Sequence, residues 1–197
     1  MVNLDKMIEI RWHGRGGQGA VTSAEILSEA AISEGKYAQA FPSFGPERRG
    51  APVLAFVRIS PNHPIRIRSS ITEPDVVAVL DPGLLKVVNV TSGLKPGGIV
   101  VINTTKTAAQ IREEFKITAT LGVVPATRIA TETLGVAIVN TTMIGAVLKA
   151  VEVVKMESCF KPIMDRFGKN GEKNVNSMKR AYAETMIEEL TGGKVSK

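Results

Sequence analysis

The feature that most constrains the fold is a glycine-rich segment, HGRGGQG over residues 13–19, which separates two regular patterns of side chains. Before it, residues 7–12 (MIEIRW) alternate apolar and charged side chains, a pattern typical of a strand. After it, residues 20–34 repeat apolar side chains at helical spacing, and Gly35 stands where a helix C-cap is expected. A strand, a glycine loop and a helix in this order form the usual Rossmann-like opening of an α/β domain.

The rest of the chain continues this α/β pattern. Further strands are predicted over residues 37–41, 53–59, 76–80, 99–103 and, more weakly, 116–121. The first two are closer in sequence than the roughly dozen residues that a parallel crossover needs, so they are expected to pair antiparallel. Helices are predicted over residues 82–90, 125–134, 141–154 and 159–167, followed by an outer amphipathic helix over 171–191. The predicted fold class is α/β, a three-layer α/β/α arrangement with a mostly parallel, mixed sheet that has one antiparallel segment.

The composition is that of one globular domain. The chain has 197 residues, 44% of them hydrophobic and 22% charged, which argues against intrinsic disorder. A chain of this length buries roughly 70% of its unfolded surface, enough for a sizeable core. No repeat or low-complexity linker divides it, so residues 1–197 are expected to form a single domain.

Cysteine and histidine are too scarce for metal chemistry. The single Cys159 can form no internal disulfide, and an iron–sulfur cluster takes about four thiolates. Cys159 is instead expected to be a buried small apolar side chain. Two histidines, His13 and His63, leave little for a zinc site, so the sequence predicts no metal-binding residue in this chain.

Net charge and hydropathy limit the kinds of ligand and partner that are expected for this chain. The net charge of +6 favours an anionic ligand or partner, but the lysines and arginines are too scattered to indicate nucleic acid. The longest uncharged run, residues 133–148, contains Thr and Asn and is shorter than the ~20 apolar residues of a membrane span. The N-terminal residues do not have the pattern of a signal peptide, so a cytoplasmic protein without membrane contact is expected.

The glycine loop is the first candidate binding site. Its predicted binding residues are Gly14, Arg15, Gly16, Gly17, Gln18 and Gly19, which match the pattern G-x-G-x-x-G. Glycines let the backbone approach a ligand closely, and the N–H groups at a helix N-terminus attract phosphate. A loop that serves only helix packing or subunit contact is the alternative. A nicotinamide dinucleotide site is disfavoured, because no Asp or Glu ends the second strand to bind the ribose.

The second candidate site is the segment SFGPERRG over residues 43–50. It supplies Ser43 and the adjacent Arg48 and Arg49, whose guanidinium groups can clamp a phosphate or a carboxylate. Interface ion pairs, or plain solvation of the two arginines, are the alternatives. Phe41 and Phe44, close to these arginines, are unusual for a free loop and indicate a contact surface.

No residue of the chain is predicted to be catalytic. Asp81 precedes Pro82 at the end of an apolar strand, an arrangement that fits a helix cap better than a catalytic acid. His13 adjoins the glycine loop, but a lone histidine without a partner acid in the sequence fits a structural role better than acid–base chemistry. Serine, histidine and aspartate form no triad signature.

In combination the motifs resemble a known family. HGRGGQGAVTSAEIL, then FPSFGPERRGAPVLAFVRIS and LKPGGIVVINT, resemble the gamma subunit of 2-oxoacid:ferredoxin oxidoreductases. The segment RRGAPV most resembles the pyruvate branch of this family, pyruvate synthase. The resemblance is strong over residues 8–106 and diffuse beyond them. Two long motifs in the expected order are far more specific than either one alone.

The resemblance implies a subunit of an enzyme of anaerobic metabolism. Such enzymes oxidise a 2-oxoacid with coenzyme A to an acyl-CoA and carbon dioxide, and pass the electrons through iron–sulfur clusters to ferredoxin. It implies that the glycine loop and the Arg48–Arg49 pair contact either the co-substrate coenzyme A or the other subunits. Thiamine diphosphate, Mg²⁺ and [4Fe–4S] clusters are implied on the alpha, beta and delta subunits, which agrees with the single cysteine. The isolated chain is expected to be inactive, and ferredoxin to be an indirect partner.

Two other functions stay open at this point. A free-standing nucleotide-binding α/β oxidoreductase would use the glycine loop alone, and a basic binding module would take nucleic acid. The second has few stacking platforms, with one Trp, two Tyr and six Phe. The sequence also leaves open which 2-oxoacid is preferred, the direction of flux, and whether the isolated chain forms a homodimer.

Overall fold

The computed structural model describes residues 2–43 and 50–190, which build one β-sheet of seven strands flanked by helices. The strands are β1 (Ile8–Arg15), β2 (Tyr37–Pro42), β3 (Pro52–Ser60), β4 (Val76–Val79), β5 (Ile99–Asn103), β6 (Thr120–Val124) and β7 (Met186–Glu188). The helices are α1 (Ala20–Ser33), α2 (Ala108–Phe115), α3 (Ala126–Leu134), α4 (Asn140–Ala150), α5 (Phe160–Phe167) and α6 (Gly171–Glu184). The predicted α/β class is confirmed.

The strands follow the order β2-β3-β1-β4-β5-β6-β7 across the sheet. Strands β1, β4, β5 and β6 pair in parallel, as the apolar runs of β4 and β5 predict. β3 is antiparallel to both β1 and β2, which confirms the pairing predicted from the short connection between β2 and β3. Because β2 thus runs in the direction of β1, most strands (β1, β2, β4, β5 and β6) point the same way, and the sheet is mixed and mostly parallel.

The end of the chain departs from the predicted helix over residues 171–191. α6 ends at Glu184, and β7 pairs antiparallel with β6 at the sheet edge. The break comes at Thr185, whose backbone is extended while its Oγ1 still donates to the Ala181 carbonyl. β6 has an open edge with unpaired backbone N–H and C=O groups. The residues after Thr185 form hydrogen bonds with this edge, so they become a strand instead of continuing α6. The sheet therefore has two antiparallel regions, at β3 and at β7, whereas the sequence predicts only one.

The connection after β4 is shorter than predicted. Instead of a helix over residues 82–90, the structure has a 3-10 helix over Pro82–Lys86. The predicted cap is confirmed, because Asp81 Oδ1 accepts a hydrogen bond from the Gly83 amide at 2.8 Å. After this turn the chain continues in turns, and Val90 returns to the apolar core.

α2 and the start of β6 also differ from the predictions. The sequence predicts no helix where α2 lies, because its apolar face is narrow. A capping box is the signal for it: Thr107 Oγ1 accepts from the Gln110 amide, and Gln110 Oε1 accepts from the Thr107 amide. Lys116 ends α2 in the left-handed region, so the strand predicted over 116–121 begins only at Thr120.

Two apolar cores lie on opposite faces of the sheet. On one face, α1, α3, α4, α5 and α6 cover side chains such as Trp12, Ala78 and Val101. On the other face, α2 and the 3-10 helix Pro82–Lys86 cover Val77 and its neighbours. This gives the three predicted layers, with β4 and β5 buried on both sides. Within residues 2–43 and 50–190, no helix is long and apolar enough to cross a membrane.

α4 and α6 pack with their backbones close together. Gly145 of α4 faces the backbone of α6, where an added Cβ would lie 2.9 Å from the Met178 carbonyl carbon and 3.1 Å from the Tyr182 amide nitrogen. Next to it, the hydroxyl groups of Thr142 and Ser177 are hydrogen-bonded at 2.7 Å. Only a residue without a side chain allows this approach at position 145.

A buried ionic network ties β1 to β3 and to the start of β4. Arg58 of β3 is only 2% exposed, and its Nε donates to Glu9 Oε1 at 2.8 Å. Lys95 Nζ lies 3.2 Å from Glu9 Oε2 and 2.9 Å from Asp75 Oδ2. Among the described residues, Glu9 is the carboxylate that neutralises the buried charge of Arg58.

Candidate functional site

The glycine loop lies at the carboxyl end of β1, between that strand and α1. α1 packs on one face of the sheet, whereas the connection that follows the neighbouring strand β4 packs on the other. The two connections diverge at this edge, which is the position where open α/β sheets bind their ligands. The predicted site thus has the position that a ligand site in such a sheet requires.

The shape of the loop depends on its glycines. Gly17 and Gly19 have φ values of 94° and 80°, in the left-handed region that favours glycine. An added Cβ would lie 2.7 Å from Asn140 Nδ2 at Gly19, and 3.3 Å from Ala20 Cβ at Gly14. Among the described residues, no side chain caps α1, so the N–H groups of its first turn lack an internal acceptor. The loop can therefore present backbone donors to an anion.

Arg15 and Gln18 hold the carboxylate of Asp81. Arg15 Nε donates to Asp81 Oδ2 at 2.9 Å, and Gln18 Nε2 donates to the same oxygen at 3.1 Å. The other oxygen of Asp81 accepts from the Gly83 amide. This arrangement ties the glycine loop to the end of β4 and engages both side chains inside the protein. The ligand-binding role of Arg15 and Gln18 stays a prediction.

The two predicted motifs adjoin each other in the structure. The Gly16 amide donates to the Ala51 carbonyl at 3.0 Å, and the Gly50 amide donates to the Gly16 carbonyl at 3.4 Å. Gly50 is the last residue of the second motif and Ala51 follows it, so this end of the motif meets the glycine loop. Phe44, Arg48 and Arg49 themselves lie outside the described residues.

A further cluster, which sequence reasoning did not assemble, lies on the face of β1 opposite α1. Arg11 and His13 are each 6% exposed, and Arg11 Nε donates to His13 Nε2 at 3.0 Å. Both side chains, together with Ser43, line a cavity of about 520 Å³ beside the segment that follows β4. The signal that could have found the pair is the alternation of β1, which places every second side chain on one face.

His13 is neutral near physiological pH. Burial, and then the positive charge of Arg11, lower the pKa of His13 from 6.5 to about 3. Since Nε2 accepts from Arg11, the single proton of the neutral ring sits on Nδ1. His13 is therefore unsuited to general acid–base catalysis near neutral pH.

This environment of His13 predicts a pH dependence of stability. Its pKa is about 3 in the folded protein and near 6.5 in the unfolded chain, so between these values only the unfolded chain takes up the proton. The free energy of unfolding should therefore fall as the pH drops below about 6.5, by up to ~1.4 kcal/mol per pH unit from this residue. Urea denaturation between pH 7 and pH 5 checks this against His13→Gln, whose slope should be smaller. Equal slopes for the two proteins would contradict it.

The described residues show no centre for metal or thiol chemistry. Among them, no group of three or more His, Cys, Asp and Glu side chains is arranged to hold a metal ion. Cys159 is fully buried, and burial, with the nearby carboxylates of Glu34 and Glu157, raises the pKa of its thiol to about 12. The thiol therefore stays protonated at neutral pH.

Comparison with known proteins identifies the family. The sequence model of the family described as pyruvate ferredoxin/flavodoxin oxidoreductase matches residues 9–184. A Thermococcus litoralis protein named pyruvate/ketoisovalerate oxidoreductases common subunit gamma is 57% identical over 186 residues, which are 93% of this chain and 100% of that protein. The crystal structure of pyruvate oxidoreductase subunit PORC from Thermotoga maritima matches with a TM-score of 0.83 and 37% identity, over 93% of this chain and 99% of that chain.

A more distant structure has the same fold. It is 2-oxoglutarate:ferredoxin oxidoreductase from Magnetococcus marinus, with 2-oxoglutarate, coenzyme A and succinyl-CoA bound. The match has a TM-score of 0.70 and 20% identity over 90% of this chain and 30% of that chain, and at this identity it shows the fold alone. The family match and the gamma-subunit relative both span most of the chain, which confirms the resemblance found in the sequence. The chain belongs to the pyruvate ferredoxin/flavodoxin oxidoreductase family.

Proposed function

We propose that this chain is the gamma subunit of a pyruvate:ferredoxin oxidoreductase. This multi-subunit enzyme converts pyruvate, coenzyme A and oxidised ferredoxin to acetyl-CoA, carbon dioxide and reduced ferredoxin. The observation that carries the proposal is the match, over 93% of this chain and 100% of the relative, to a protein named as a gamma subunit. In this role the chain works in the cytoplasm and packs against alpha, beta and delta subunits, to which we assign the thiamine diphosphate and iron–sulfur chemistry.

The part that we assign to this chain is to help hold coenzyme A. The phosphates of coenzyme A need hydrogen-bond donors, and α1 offers the uncapped N–H groups of its first turn at the carboxyl end of β1. Gly17 and Gly19 let the backbone approach a phosphate closely. The net charge of +6 adds long-range attraction for an anion. The Magnetococcus marinus enzyme, which shares the fold, was solved with coenzyme A bound.

A change of charge in the glycine loop tests this role in the assembled complex. Gly17→Asp and Gly17→Asn introduce side chains of equal size where an added Cβ meets no described atom within 4 Å, and both residue types tolerate positive φ better than most. Only aspartate places a negative charge before the amides. Gly17→Asp should therefore raise the KM for coenzyme A about tenfold above that of Gly17→Asn, with the KM for pyruvate nearly unchanged. Steady-state kinetics of pyruvate oxidation measure both constants.

Two controls separate the coenzyme A role from the subunit assignment. Subunit composition after purification shows whether a variant assembles, because weakened assembly would change both Michaelis constants together. Equal constants for the two Gly17 variants would remove the coenzyme A role and leave the gamma-subunit assignment intact. The assignment itself is tested by purifying the tagged chain from its host without oxygen. A chain that comes out alone, without iron or thiamine diphosphate, would overturn it.

A further inference from the structure

The strand β2 forms one edge of the sheet, and the structure leaves this edge open. β3 pairs with one side of β2, and within residues 2–43 and 50–190 no strand pairs with the other side. Every residue of β2 is at least partly exposed, whereas all residues of β4 and β5 are buried. An open edge carries unpaired backbone N–H and C=O groups that another strand can bind.

β2 lacks the features by which folded proteins usually protect an edge strand. Protected edges are very short, or they carry charged side chains, lysine above all. β2 has six residues, YAQAFP, with no Lys, Arg, Asp or Glu, and Pro42 stands only at its end. β7 at the opposite edge is three residues long and ends on Glu188, so it is protected in both ways. The contrast indicates that another chain covers the edge of β2.

The open hydrogen-bonding groups of β2 belong to Ala38 and Ala40. The Ser43 amide donates to the Leu54 carbonyl of β3 at 2.9 Å, so these two residues form a hydrogen-bonded pair. In an antiparallel ladder every second residue faces the partner strand, and the residues between them turn their N–H and C=O groups outward. Within β2, Ala38 and Ala40 are the outward residues that have an N–H group, since Pro42 has none.

These two alanines are complementary to a second copy of themselves. When two copies of β2 lie antiparallel with Gln39 opposite Gln39, Ala38 of each copy lies opposite Ala40 of the other. Each of these pairs exchanges two hydrogen bonds, so the outward N–H groups of both strands are satisfied. A two-fold axis through the contact relates the two copies, and such a contact closes as a dimer without adding a third chain.

The side chains of β2 fit the same register. It places Tyr37 of each copy opposite Phe41 of the other, and aromatic cross-strand pairs stabilise a sheet. Tyr37 is 44% exposed, and the ring of Phe41 is already held against Phe56 with 5.2 Å between the centroids. Gln39 Oε1 is buried and has no hydrogen-bond partner among the described residues. The Nε2 group of the facing Gln39 supplies a donor for it.

We propose that the edge of β2 binds a second copy of this chain and joins the two seven-stranded sheets into one continuous sheet. A second copy fits because the outward alanines, the aromatic side chains and the amide of Gln39 each meet a matching group in it. No Lys, Arg, Asp or Glu on the strand repels an identical strand. The proposal does not rest on the coenzyme A role, because it uses neither the glycine loop nor the first turn of α1.

Sedimentation velocity of the full chain tests the proposal by measuring the dissociation constant of the dimer. Gln39→Glu and Gln39→Lys each place like charges directly opposite across the axis, and each should weaken the dimer about tenfold or more. A mixture of the two variants brings opposite charges together and should restore dimers, now with one copy of each variant. Thr118→Glu and Thr118→Lys are the matched controls, because they introduce the same charges at an exposed position before β6 and should leave the dimer unchanged.

A disulfide cross-link tests the register without a change of charge. Residues opposite each other in a non-hydrogen-bonded antiparallel pair have Cα atoms about 4.5 Å apart, within the range that a disulfide spans. Gln39→Cys should therefore give a covalent dimer under mild oxidation, whereas Thr118→Cys should stay monomeric on a non-reducing gel. Cys159 is fully buried and does not compete for the cross-link.

Several outcomes would overturn the proposal. The first is an unchanged chain that is monomeric at every concentration. The second is a pair of Gln39 charge variants that each dimerise as tightly as the unchanged chain, which would place the contact on another surface. The third is Gln39→Cys that forms no covalent dimer. The fourth is Gln39→Cys that cross-links to a different subunit in the assembled complex, which would assign the edge of β2 to that subunit.

Discussion

Replacing Gly145 with alanine is expected to destabilise the protein by about 3 kcal/mol, at the upper end of overpacking effects. The new Cβ would meet the Met178 carbonyl oxygen and lie 2.9 Å from its carbonyl carbon. These are backbone atoms and cannot rotate away, so α4 and α6 must separate. Separation stretches the hydrogen bond between Thr142 and Ser177 and loosens both helices on the sheet. The better helix propensity of alanine, worth ~1 kcal/mol, offsets only part of this cost.

Urea and thermal denaturation of the purified chain measure the effect of Gly145→Ala. The melting temperature should fall by about 6–12 °C for a chain of this size. Gly122→Ala is the matched control, because its added Cβ would lie 3.1 Å from Ile187 Cδ1, the end of a flexible side chain that can move. A Gly145→Ala protein that is as stable as Gly122→Ala would show that α4 and α6 do not pack as described.

Removing the Glu9 carboxylate is expected to cost about 3–5 kcal/mol of unfolding free energy. Glu9→Ala leaves the guanidinium of Arg58, which is 2% exposed, without a carboxylate among the described residues. It also takes from Lys95 one of its two acidic partners among the described residues and leaves Asp75 in place. The loss is large because a buried charge without a partner keeps its desolvation cost and gains nothing in return.

Two further variants show whether the loss of stability in Glu9→Ala comes from the unpaired buried charge of Arg58. The double variant Glu9→Met/Arg58→Met removes both charges and should be destabilised less than Glu9→Ala alone, which urea denaturation measures directly. Asp165→Ala breaks the exposed ion pair with Lys161 and should cost far less stability than Glu9→Ala. If Glu9→Ala were as mild as Asp165→Ala, the network would contribute no more than a surface ion pair.

The parts of the fold that the sequence predicts are those whose own residues decide their structure. The apolar runs of β4 and β5 indicate strands covered on both faces, and both strands are. β7 could not be found in this way, because residues 186–188 form a strand only where β6 presents an open edge. α2 carries a readable capping box at Thr107, but its narrow apolar face hides it from a search for helical periodicity.

The same distinction applies to the candidate site: features set by one short segment could be predicted, and features that join distant residues could not. The glycine loop is visible because the residues that need a positive φ are glycines within one short segment. Its ion pair is not visible, since Arg15 and Asp81 are 66 positions apart and meet only through the parallel pairing of β1 with β4. The shared face of Arg11 and His13 follows from strand alternation, whereas the cavity they line also needs Leu84 from beyond β4.

The first strand of the chain lies in the interior of the sheet, between β3 and β4. Synthesis on a ribosome adds about 5–20 residues per second, so β1 emerges several seconds before either of its neighbours is available for pairing. Arg15 likewise cannot form its ion pair until Asp81 has been synthesised. A nascent chain stalled before Asp81 therefore contains the whole glycine motif in its sequence but not yet the geometry of the loop.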